Sequence, residues 1–503
     1  MRALRTFAPV LLFIAGSASV LGVSAVGASS PVASRAINSA IKWTTCRGHK
    51  DFRCASIPVP IDYAKPSLGK LNLAVVMLPS TSAKPLGDLF TNPGGPGASG
   101  VDFLEQSASA FSPSLRAKFN LVSWDPRGVE RSDPVTCVNA NQVRALTQEN
   151  PQPSTPAEIA AGVKLAKQFV AACLAHTSRL LLENVGTATT IEDLDQLRAD
   201  LGQSKLYYLG FSYGTFIGEM YAAKYPTHIG AMVLDGAVDP ALSLVAGDRE
   251  QALGFEGDLH AFCGWCDHDK TCRKRLPGGA QAAYHKLMAF FAAGNTIQAD
   301  FKSRYGGVQP VTLGVAQLGV ISSLYSKSAW GYLGLAIKRG LQHKGDLLAA
   351  LAYEYEGLQQ NGKFSNEDEA NVAINCVDSP SVRDLSFYES LAKRLSAVAP
   401  DFGAAEAWGS LTCAYWPIPA EGAPHEIHAP GTPTILVVGS TDDPATPYAW
   451  AKAVAAQLDN AVLLTRTGSG HTGYFFSSCV RGYVDSYLTT GKVPPSGKVC
   501  PSN

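Results

Sequence analysis

A serine between two glycines, in the pentapeptide Gly210-Phe211-Ser212-Tyr213-Gly214, has the residue types and spacing of a nucleophile turn. The apolar run at residues 206–209 predicts a strand before it, and residues 215–223 predict a helix after it. Glycines allow a turn too sharp for a Cβ, and the helix N-terminus favours negative charge developing near the hydroxyl. We therefore predict Ser212 as a nucleophile; the alternative is an ordinary strand-to-helix turn.

A serine hydroxyl needs a base, and the base needs a carboxylate that orients it. Two late apolar runs, residues 434–439 and 461–465, predict strands that are each followed by polar residues. His471, which lies among glycines after the second run, is the predicted base. Asp443 is the predicted acid, because Pro444 makes the following turn rigid. Asp442 or Asp443 could instead only cap the helix expected near Pro447.

An acyl-transfer intermediate carries an oxyanion that needs two N–H donors. We predict the backbone of Tyr213 as one donor, since it directly follows the nucleophile. The second donor is expected from the early turn Asn92-Pro93-Gly94-Gly95-Pro96-Gly97. Proline has no N–H, so only Gly94, Gly95 and Gly97 can donate from it, and Gly95 is favoured. This turn lacks the Lys-Ser/Thr ending of a phosphate-binding loop, so no nucleotide or other cofactor and no metal is expected.

The elements that must position these residues alternate between strands and helices, which predicts a mostly parallel sheet covered on both faces. Further strands are expected at residues 71–78, 88–91, 120–124 and 229–235, and a helix from Thr190, as its N-cap, to Leu201. Residues 237–425 instead show helical spacing, for example at 281–293, 328–339 and 345–358. We predict an α/β core formed by residues 45–236 and 426–503, with residues 237–425 inserted late as a helical cap.

The first 28 residues have the pattern of an export signal: Arg2 and Arg5, an apolar stretch over residues 7–23, and small residues at two cleavage sites. An uncleaved anchor is the alternative. No later stretch is expected to span a bilayer stably. The 503 residues contain 42 Lys+Arg and 42 Asp+Glu without a basic stripe, which argues against a nucleic-acid partner.

Export agrees with the cysteine content, because 11 cysteines in an oxidising compartment are mostly disulfide-bonded. Sequence proximity suggests four pairs, although it does not fix the connectivity: Cys46–Cys54, Cys137–Cys173, Cys376–Cys413 and Cys479–Cys500. Cys263, Cys266 and Cys272 do not have the spacing of a zinc site, so one further disulfide and one leftover thiol are expected.

These motifs together resemble the α/β-hydrolase peptidases that include proline iminopeptidase and the secreted tripeptidyl aminopeptidases of actinobacteria. The similarity covers about residues 45–500 and rests on four segments: N-P-G-G-P-G at 92–97, D-P-R-G-V-E-R-S-D-P at 125–134, G-F-S-Y-G-T at 210–215, and 443–447 with 470–472. It implies an α/β-hydrolase fold with the triad Ser212, Asp443 and His471, and places Thr446 near the site. Glu130 departs from the family pattern, which has glycine there, and could strain a loop or add charge at the pocket rim.

The resemblance implies release of short peptides, tripeptides above all, from a free N-terminus. Because a buried ammonium needs a carboxylate partner, acids of the cap should bind it. The available residues are Asp378, which ranks first, Glu250, Glu256 and Asp258. A secreted carboxylesterase with the same triad is the rival enzyme, and a catalytically inactive binding module is the alternative from another class.

Overall fold

The computed structural model describes residues 41–300, 307–359 and 361–502, so the predicted export signal lies outside the described residues. Its main element is a ten-stranded sheet with the strand order β1-β2-β3-β5-β4-β6-β7-β10-β11-β12. The strands of this sheet are β1 Thr44–Cys46, β2 His49–Pro60, β3 Lys70–Leu78, β4 Gly87–Asn92, β5 Phe119–Trp124, β6 Leu206–Phe211, β7 Ile229–Asp235, β10 Ile435–Asp442, β11 Ala461–Ser469 and β12 Val499–Cys500. A separate antiparallel pair joins β8 Ile297–Asp300 to β9 Val308–Val311.

The pairs β1–β2, β2–β3 and β3–β5 are antiparallel. All other neighbouring strands of this sheet, from β5 through β4, β6, β7, β10 and β11 to β12, are parallel. Parallel neighbours bring their carboxyl ends to one edge of the sheet, where ligands bind in open α/β sheets. The loops after β4, β6, β7, β10 and β11 therefore share one edge. These loops contain the glycine turn, Ser212, Gly236, Asp443 and His471, which is the arrangement that the predicted chemistry requires.

Nineteen α-helices are described along the chain, and their bounds are as follows. Those before β8 are α1 Gly100–Ser107, α2 Pro113–Lys118, α3 Ala140–Thr147, α4 Pro156–His176, α5 Arg179–Leu182, α6 Thr187–Asp200, α7 Tyr213–Lys224, α8 Leu244–His268, α9 Lys270–Arg275 and α10 Ala280–Ala292. Those after β9 are α11 Leu313–Leu324, α12 Trp330–Leu341, α13 Asp346–Tyr355, α14 Glu367–Asp378, α15 Leu385–Ser396, α16 Gly403–Gly409, α17 Leu411–Ala414, α18 Tyr448–Gln457 and α19 Ser478–Thr490.

Helices cover both faces of the large sheet, which confirms the α/β-hydrolase architecture. One apolar cluster joins the sheet to α6, α7 and α18, and another joins its opposite face to α1, α2 and α19. Helices α8 to α13 form a third cluster of their own, including Phe262, Trp330 and Leu348. Burial of apolar side chains stabilises each layer, at about 25 cal/mol for each Å² removed from water. Helices α8 to α13 thus have a core of their own, whereas α14 packs into the cluster on the sheet through Ala370 and Ile374.

One local expectation differs from the structure. Helix α6 begins at Thr187 with Gly186 as its N-cap, so the prediction of Thr190 as the cap is wrong; the Thr190 hydroxyl instead donates to the Gly186 carbonyl one turn earlier.

Among the described residues, α4 is long and apolar enough, by length and composition alone, to cross a membrane. Core helices of soluble proteins pass the same test, and α4 buries Phe169, Val170 and Cys173. The expectation that no later stretch spans a bilayer therefore stays a prediction.

The four proposed cysteine pairs are all formed, and a fifth disulfide joins Cys266 to Cys272. Cys263 is the leftover thiol and is buried. The pair Cys376–Cys413 fastens the last turn of α14 to α17, and Cys137–Cys173 holds α4 against the loop before α3.

Candidate active site

Ser212 lies between β6 and α7 with φ 54° and ψ −129°, in a backbone region that L-residues seldom occupy. The two glycines explain how the turn closes. A Cβ at position 210 would lie 2.4 Å from the Gly214 carbonyl oxygen, and one at 214 would lie 2.8 Å from the Asn92 carbonyl oxygen. The strained serine is held by its own N–H, which donates to the Asp235 carbonyl at 3.0 Å. This geometry is that of a nucleophile elbow.

His471 and Asp443 meet at the end of the neighbouring strands. The imidazole Nδ1 donates to both carboxylate oxygens of Asp443, at 2.9 and 3.0 Å, and lies 3.2 Å from the Thr446 hydroxyl. Nε2 is buried and has no hydrogen-bond partner among the described residues. Since Nδ1 carries the proton, Nε2 has the lone pair that a general base needs.

Asp443 is held in place by its own turn and by the histidine loop. Its carboxylate accepts from the backbone N–H of Ala445, Thr446 and Thr472, at 3.1, 2.9 and 3.0 Å. The residue is only 3 % exposed, whereas Asp442 is exposed and bonds Thr441. Of the two adjacent aspartates, Asp443 is therefore the one beside the imidazole, and it also shapes the turn that leads into α18.

The residues that follow β7 connect the serine to the histidine. The backbone carbonyl of Asp235 accepts the Ser212 N–H. The next residue, Gly236, faces the imidazole so closely that a Cβ there would lie 3.2 Å from Cε1 of His471. Any larger residue at 236 would displace the ring or the Thr446 hydroxyl, which is 3.1 Å from the same point. The loop after β7 thus brings the elbow and the imidazole to the same place.

The glycine turn after β4 lies against the elbow. A Cβ on Gly94 would be 2.8 Å from Cβ of Ser212 and 3.0 Å from N of Tyr213. The N–H of Gly94 is already used, because it donates to the Asn92 side chain at 2.9 Å. Gly95 is the next donor along the turn, and the Tyr213 N–H stands in the first turn of α7, where helices leave their N–H groups unsatisfied. The predicted pair of donors is thus close to the serine.

Two buried residues that sequence reasoning missed hold the histidine loop. Asp235 accepts from the N–H of Gly473 at 2.8 Å and of Tyr474 at 2.7 Å, and burial raises its pKa to about 6. Arg466, on β11, donates to backbone carbonyls on both sides of His471. The position of Asp235 at the end of a predicted buried strand is a sequence signal that could have indicated a role near the site. No local sequence feature indicates such a role for Arg466.

The cap touches the candidate base directly through Tyr325, which follows α11. The Tyr325 carbonyl accepts the backbone N–H of His471 at 2.9 Å, and its ring meets the imidazole edge-to-face with centroids 5.5 Å apart. The Tyr325 hydroxyl lies 3.1 Å from that of Tyr355. The helices above the sheet therefore form one wall of the site.

Three of the four carboxylates predicted to bind an ammonium are engaged elsewhere in the protein, whereas the buried Asp258 has no hydrogen-bond partner for either oxygen among the described residues. Asp378 accepts from the N–H and the hydroxyl of Thr187, at 2.7 and 2.6 Å, and burial raises its pKa to about 7. Glu250 accepts from the indole of Trp450 at 2.5 Å, and Glu256 accepts the N–H of Asp401 at 3.0 Å. These partners do not favour the predicted role for any of the three. Thr446, by contrast, lies beside His471 as expected.

A different group of acids lies where α13 and α14 meet the core, and we call Glu356, Glu367 and Asp368 the cap acids. Glu356 and Asp368 share a hydrogen bond, and burial raises the pKa of both. Burial and the neighbouring Asp368 and Glu130 raise the pKa of Glu367 to about 8. None of the three forms an ion pair with a described residue. Sequence reasoning missed them, because acids in the first turn of a helix are common.

Contacts with two core loops fix the position of the cap acids. The carbonyl of Glu367 lies so close to Gly97 that a Cβ there would be 2.4 Å away, and the Asn371 side chain donates to the Pro96 carbonyl at 3.0 Å. Glu130 and Asn366 exchange two hydrogen bonds, of 2.8 and 3.1 Å. Glu130 has φ 40°, so it adopts the left-handed backbone that glycine favours, and it adds a carboxyl beside Glu367. The expected strain in this loop and the expected added charge at position 130 both agree with this geometry.

Comparison with known proteins identifies the family. The family model described as alpha/beta hydrolase fold matches residues 89–275, and the model described as TAP-like protein matches residues 399–500. The chain is 34 % identical to the serine protease Hip1 of Mycobacterium tuberculosis, over 95 % of this chain and 94 % of the relative. It is 33 % identical to carboxylesterase B of the same species, covering 91 % and 89 %. It is 30 % identical to the tripeptidyl aminopeptidase of Streptomyces lividans, covering 93 % and 88 %. The chain is therefore a serine hydrolase that belongs to the TAP-like family of α/β-hydrolase peptidases.

Proposed function

We propose that this protein is an exported aminopeptidase that removes short peptides, three residues long, from free N-termini through Ser212, His471 and Asp443. The observation that carries the proposal is the imidazole of His471, whose Nδ1 is held by Asp443 while its buried Nε2 has no partner among the described residues. The five disulfides support export, because such bonds persist in oxidising compartments.

The reaction follows from the proton positions. Nε2 of His471 takes the Ser212 proton as the hydroxyl attacks the scissile carbonyl, and Asp443 stabilises the imidazolium that forms. The N–H groups of Tyr213 and Gly95 stabilise the oxyanion of the tetrahedral intermediate. Collapse of this intermediate expels the amine, which takes the proton from His471, and leaves a peptidyl ester on Ser212. Water then releases the short peptide by the same steps in reverse order.

The cap acids support recognition of a free N-terminus. They are half-buried, none of them forms an ion pair with a described residue, and an ammonium ion would supply the missing charge. Tyr355 lies between them and Tyr325, since Glu367 and Asp368 both raise its pKa and its hydroxyl meets that of Tyr325. The cap acids thus replace Asp378, Glu250 and Glu256 as our candidates for the ammonium site.

Two aromatic contacts connect the base to the side of the site where the cap acids lie. The Tyr325 ring lies 5.5 Å from the imidazole and 5.7 Å from the Tyr355 ring. The product length of three residues is proposed from the tripeptidyl aminopeptidase relative.

A carboxylesterase is the second candidate, because a relative of that name covers most of the chain at 33 % identity. The same triad cleaves esters, and alkoxides leave more readily than amines. The two functions differ in whether an anilide with a free N-terminus is cleaved.

Parallel assays of tripeptidyl, aminoacyl and prolyl anilides beside nitrophenyl esters test the proposal. We expect the tripeptidyl anilide to be the best anilide and its N-acetyl form to be cleaved at least tenfold more slowly. The Ser212→Ala variant should abolish turnover of every substrate. Ester cleavage without any anilide cleavage would establish the carboxylesterase instead, and no turnover of either class would indicate a binding module.

A further inference from the structure

The guanidinium of Arg466 binds the loop that contains the candidate base on both sides of the imidazole. One nitrogen, Nη1, donates to the carbonyls of Gly470 and Thr472 at 3.1 and 3.2 Å and to the Ser440 hydroxyl at 3.0 Å. The other, Nη2, donates to the Ser469 carbonyl at 2.9 Å. Arg466 is only 4 % exposed, so these contacts are made away from water. Three of the four acceptors are carbonyls of residues 469–472, the segment that contains His471.

The loop itself has no regular structure that would hold it. Gly470 has φ 108° and Thr472 has φ 70°, so both residues adjacent to His471 are in the left-handed region. For threonine, which is β-branched, this backbone is strained and persists only when surrounding contacts enforce it. Arg466 contacts the carbonyls of both strained residues, and Asp235 contacts the N–H groups that follow them.

Arg466 is a positively charged residue among acidic neighbours close to the base. The carboxyl groups that surround Arg466 come from four elements: Asp235 at the end of β7, Asp258 on α8, Asp442 on β10, and Asp443 after it. Tyr325 meets the imidazole from the cap with a ring that is not ionised at neutral pH. The guanidinium therefore lies among acids on one side and binds the carbonyls of the histidine loop on the other.

We propose that Arg466 is a positioning residue for His471, which fastens the strained loop from both sides of the imidazole. This role rests on the proposed function of His471 as the base. It requires the forked shape of arginine as well as its charge, since a lysine ammonium is a single point that cannot reach four acceptors on separate residues.

Three variants separate the two parts of this role. Arg466→Lys keeps the charge and loses the fork, Arg466→Gln loses the charge, and Ser440→Ala removes one bridging acceptor with little risk to folding. The reporters are kcat and KM on the best substrate, the pH dependence of kcat/KM, and the rate of inactivation by a fluorophosphonate probe. The melting temperature of each variant is measured in parallel.

Both Arg466 variants should lose kcat by about 10²-fold with little change in KM, because small displacements of a reacting group have effects of that size. Arg466→Gln, which loses the charge and the fork, should lose at least as much kcat as Arg466→Lys. Ser440→Ala should lose kcat several-fold. Inactivation by the probe should slow in proportion to kcat.

Arg198→Lys is the matched control, because Arg198 is 8 % exposed and its guanidinium binds the Gln203 carbonyl and Asp195 without contacting the site. It should lower the melting temperature and leave kcat and the pH profile unchanged. Folded Arg466 variants with wild-type kcat would overturn the positioning role. If both Arg466 variants fail to fold, wild-type kcat in Ser440→Ala overturns it. An inactive wild-type protein would instead overturn the proposed function.

Discussion

Neutralising one of the cap acids is the perturbation that most directly tests recognition of a free N-terminus. Glu367→Gln keeps the size and the hydrogen-bonding oxygen of the side chain and removes its charge. Its backbone carbonyl still packs on Gly97, so the position of α14 should not change. Asp368→Asn does the same for the carboxyl that shares a hydrogen bond with Glu356. Each variant therefore changes the charge offered to an ammonium without removing a core contact.

The expected size of the effect follows from the burial of the cap acids. A hydrogen bond to a charged group contributes about 1.5–3 kcal/mol, which corresponds to roughly 10- to 150-fold in kcat/KM. Burial raises the pKa of Glu367 to about 8, so this carboxyl is partly protonated at neutral pH and the loss should lie near the lower limit. The same pKa predicts that kcat/KM of the wild type for a free-amine substrate rises as the pH increases toward 8.

The assay compares three substrates in each variant: a tripeptidyl anilide, its N-acetyl form and a nitrophenyl ester. The first should lose about tenfold in kcat/KM, whereas the acetylated and ester substrates should be unaffected. Glu354→Gln is the control, because Glu354 lies on α13, burial alone raises its pKa to about 8, and its carboxyl has no other acid acting on it. Equal losses on all three substrates, or no loss on the free amine in either variant, would refute ammonium recognition by the cap acids.

Three further predictions concern strain, pH and the free thiol. Because Glu130 has φ 40°, Glu130→Gly should unfold at a higher temperature than Glu130→Ala, a difference of about 1 kcal/mol in unfolding free energy; equal stabilities would show that the loop is not strained. Asp258 is 2 % exposed and burial raises its pKa to about 8, so the folded state holds this proton more tightly than the unfolded state. Stability should therefore fall as the pH rises from about 4 to 8, and thermal melts of Asp258→Asn should show a smaller fall. Cys263 is 5 % exposed and burial raises its pKa to about 12, so a thiol reagent should titrate one thiol per chain only after denaturation.

The sequence was most informative where local chemistry and topology agree. The glycines around Ser212 and the polar residues after two apolar runs were sufficient to predict which strand ends would meet, because parallel strands place their carboxyl ends at one edge. The choice of Asp443 over Asp442 agrees with the hydrogen bonds to His471, and the four disulfides chosen by proximity are all formed. The roles of these site residues in catalysis stay predictions until the variants are assayed.

The cap residues could not be predicted in the same way. Nothing in the sequence relates Glu367 to Gly97 or Tyr325 to His471, since these contacts join residues that are distant along the chain and depend on how α11 and α14 settle on the sheet. Asp378 was favoured because a nearby disulfide fixes its surroundings. That disulfide does form, but the fixed surroundings include Thr187, which occupies both carboxylate oxygens. A carboxylate in rigid surroundings can therefore already be hydrogen-bonded to the protein and unavailable to a substrate.

Availability gives a physical criterion for separating the acids that hold this fold from those that could meet a substrate. Asp235 and Asp443 are buried, Asp378 is half-buried, and each accepts at least two hydrogen bonds from the protein, so their charge is compensated before any ligand arrives. Glu356 and Asp368 share a hydrogen bond, and Glu367 has other acids as its charged neighbours among the described residues. Keeping such a group ionised costs free energy that a bound cation would offset. Under our proposal the cap acids therefore favour a substrate with a free ammonium over one that is acetylated, whereas the triad alone would treat both alike.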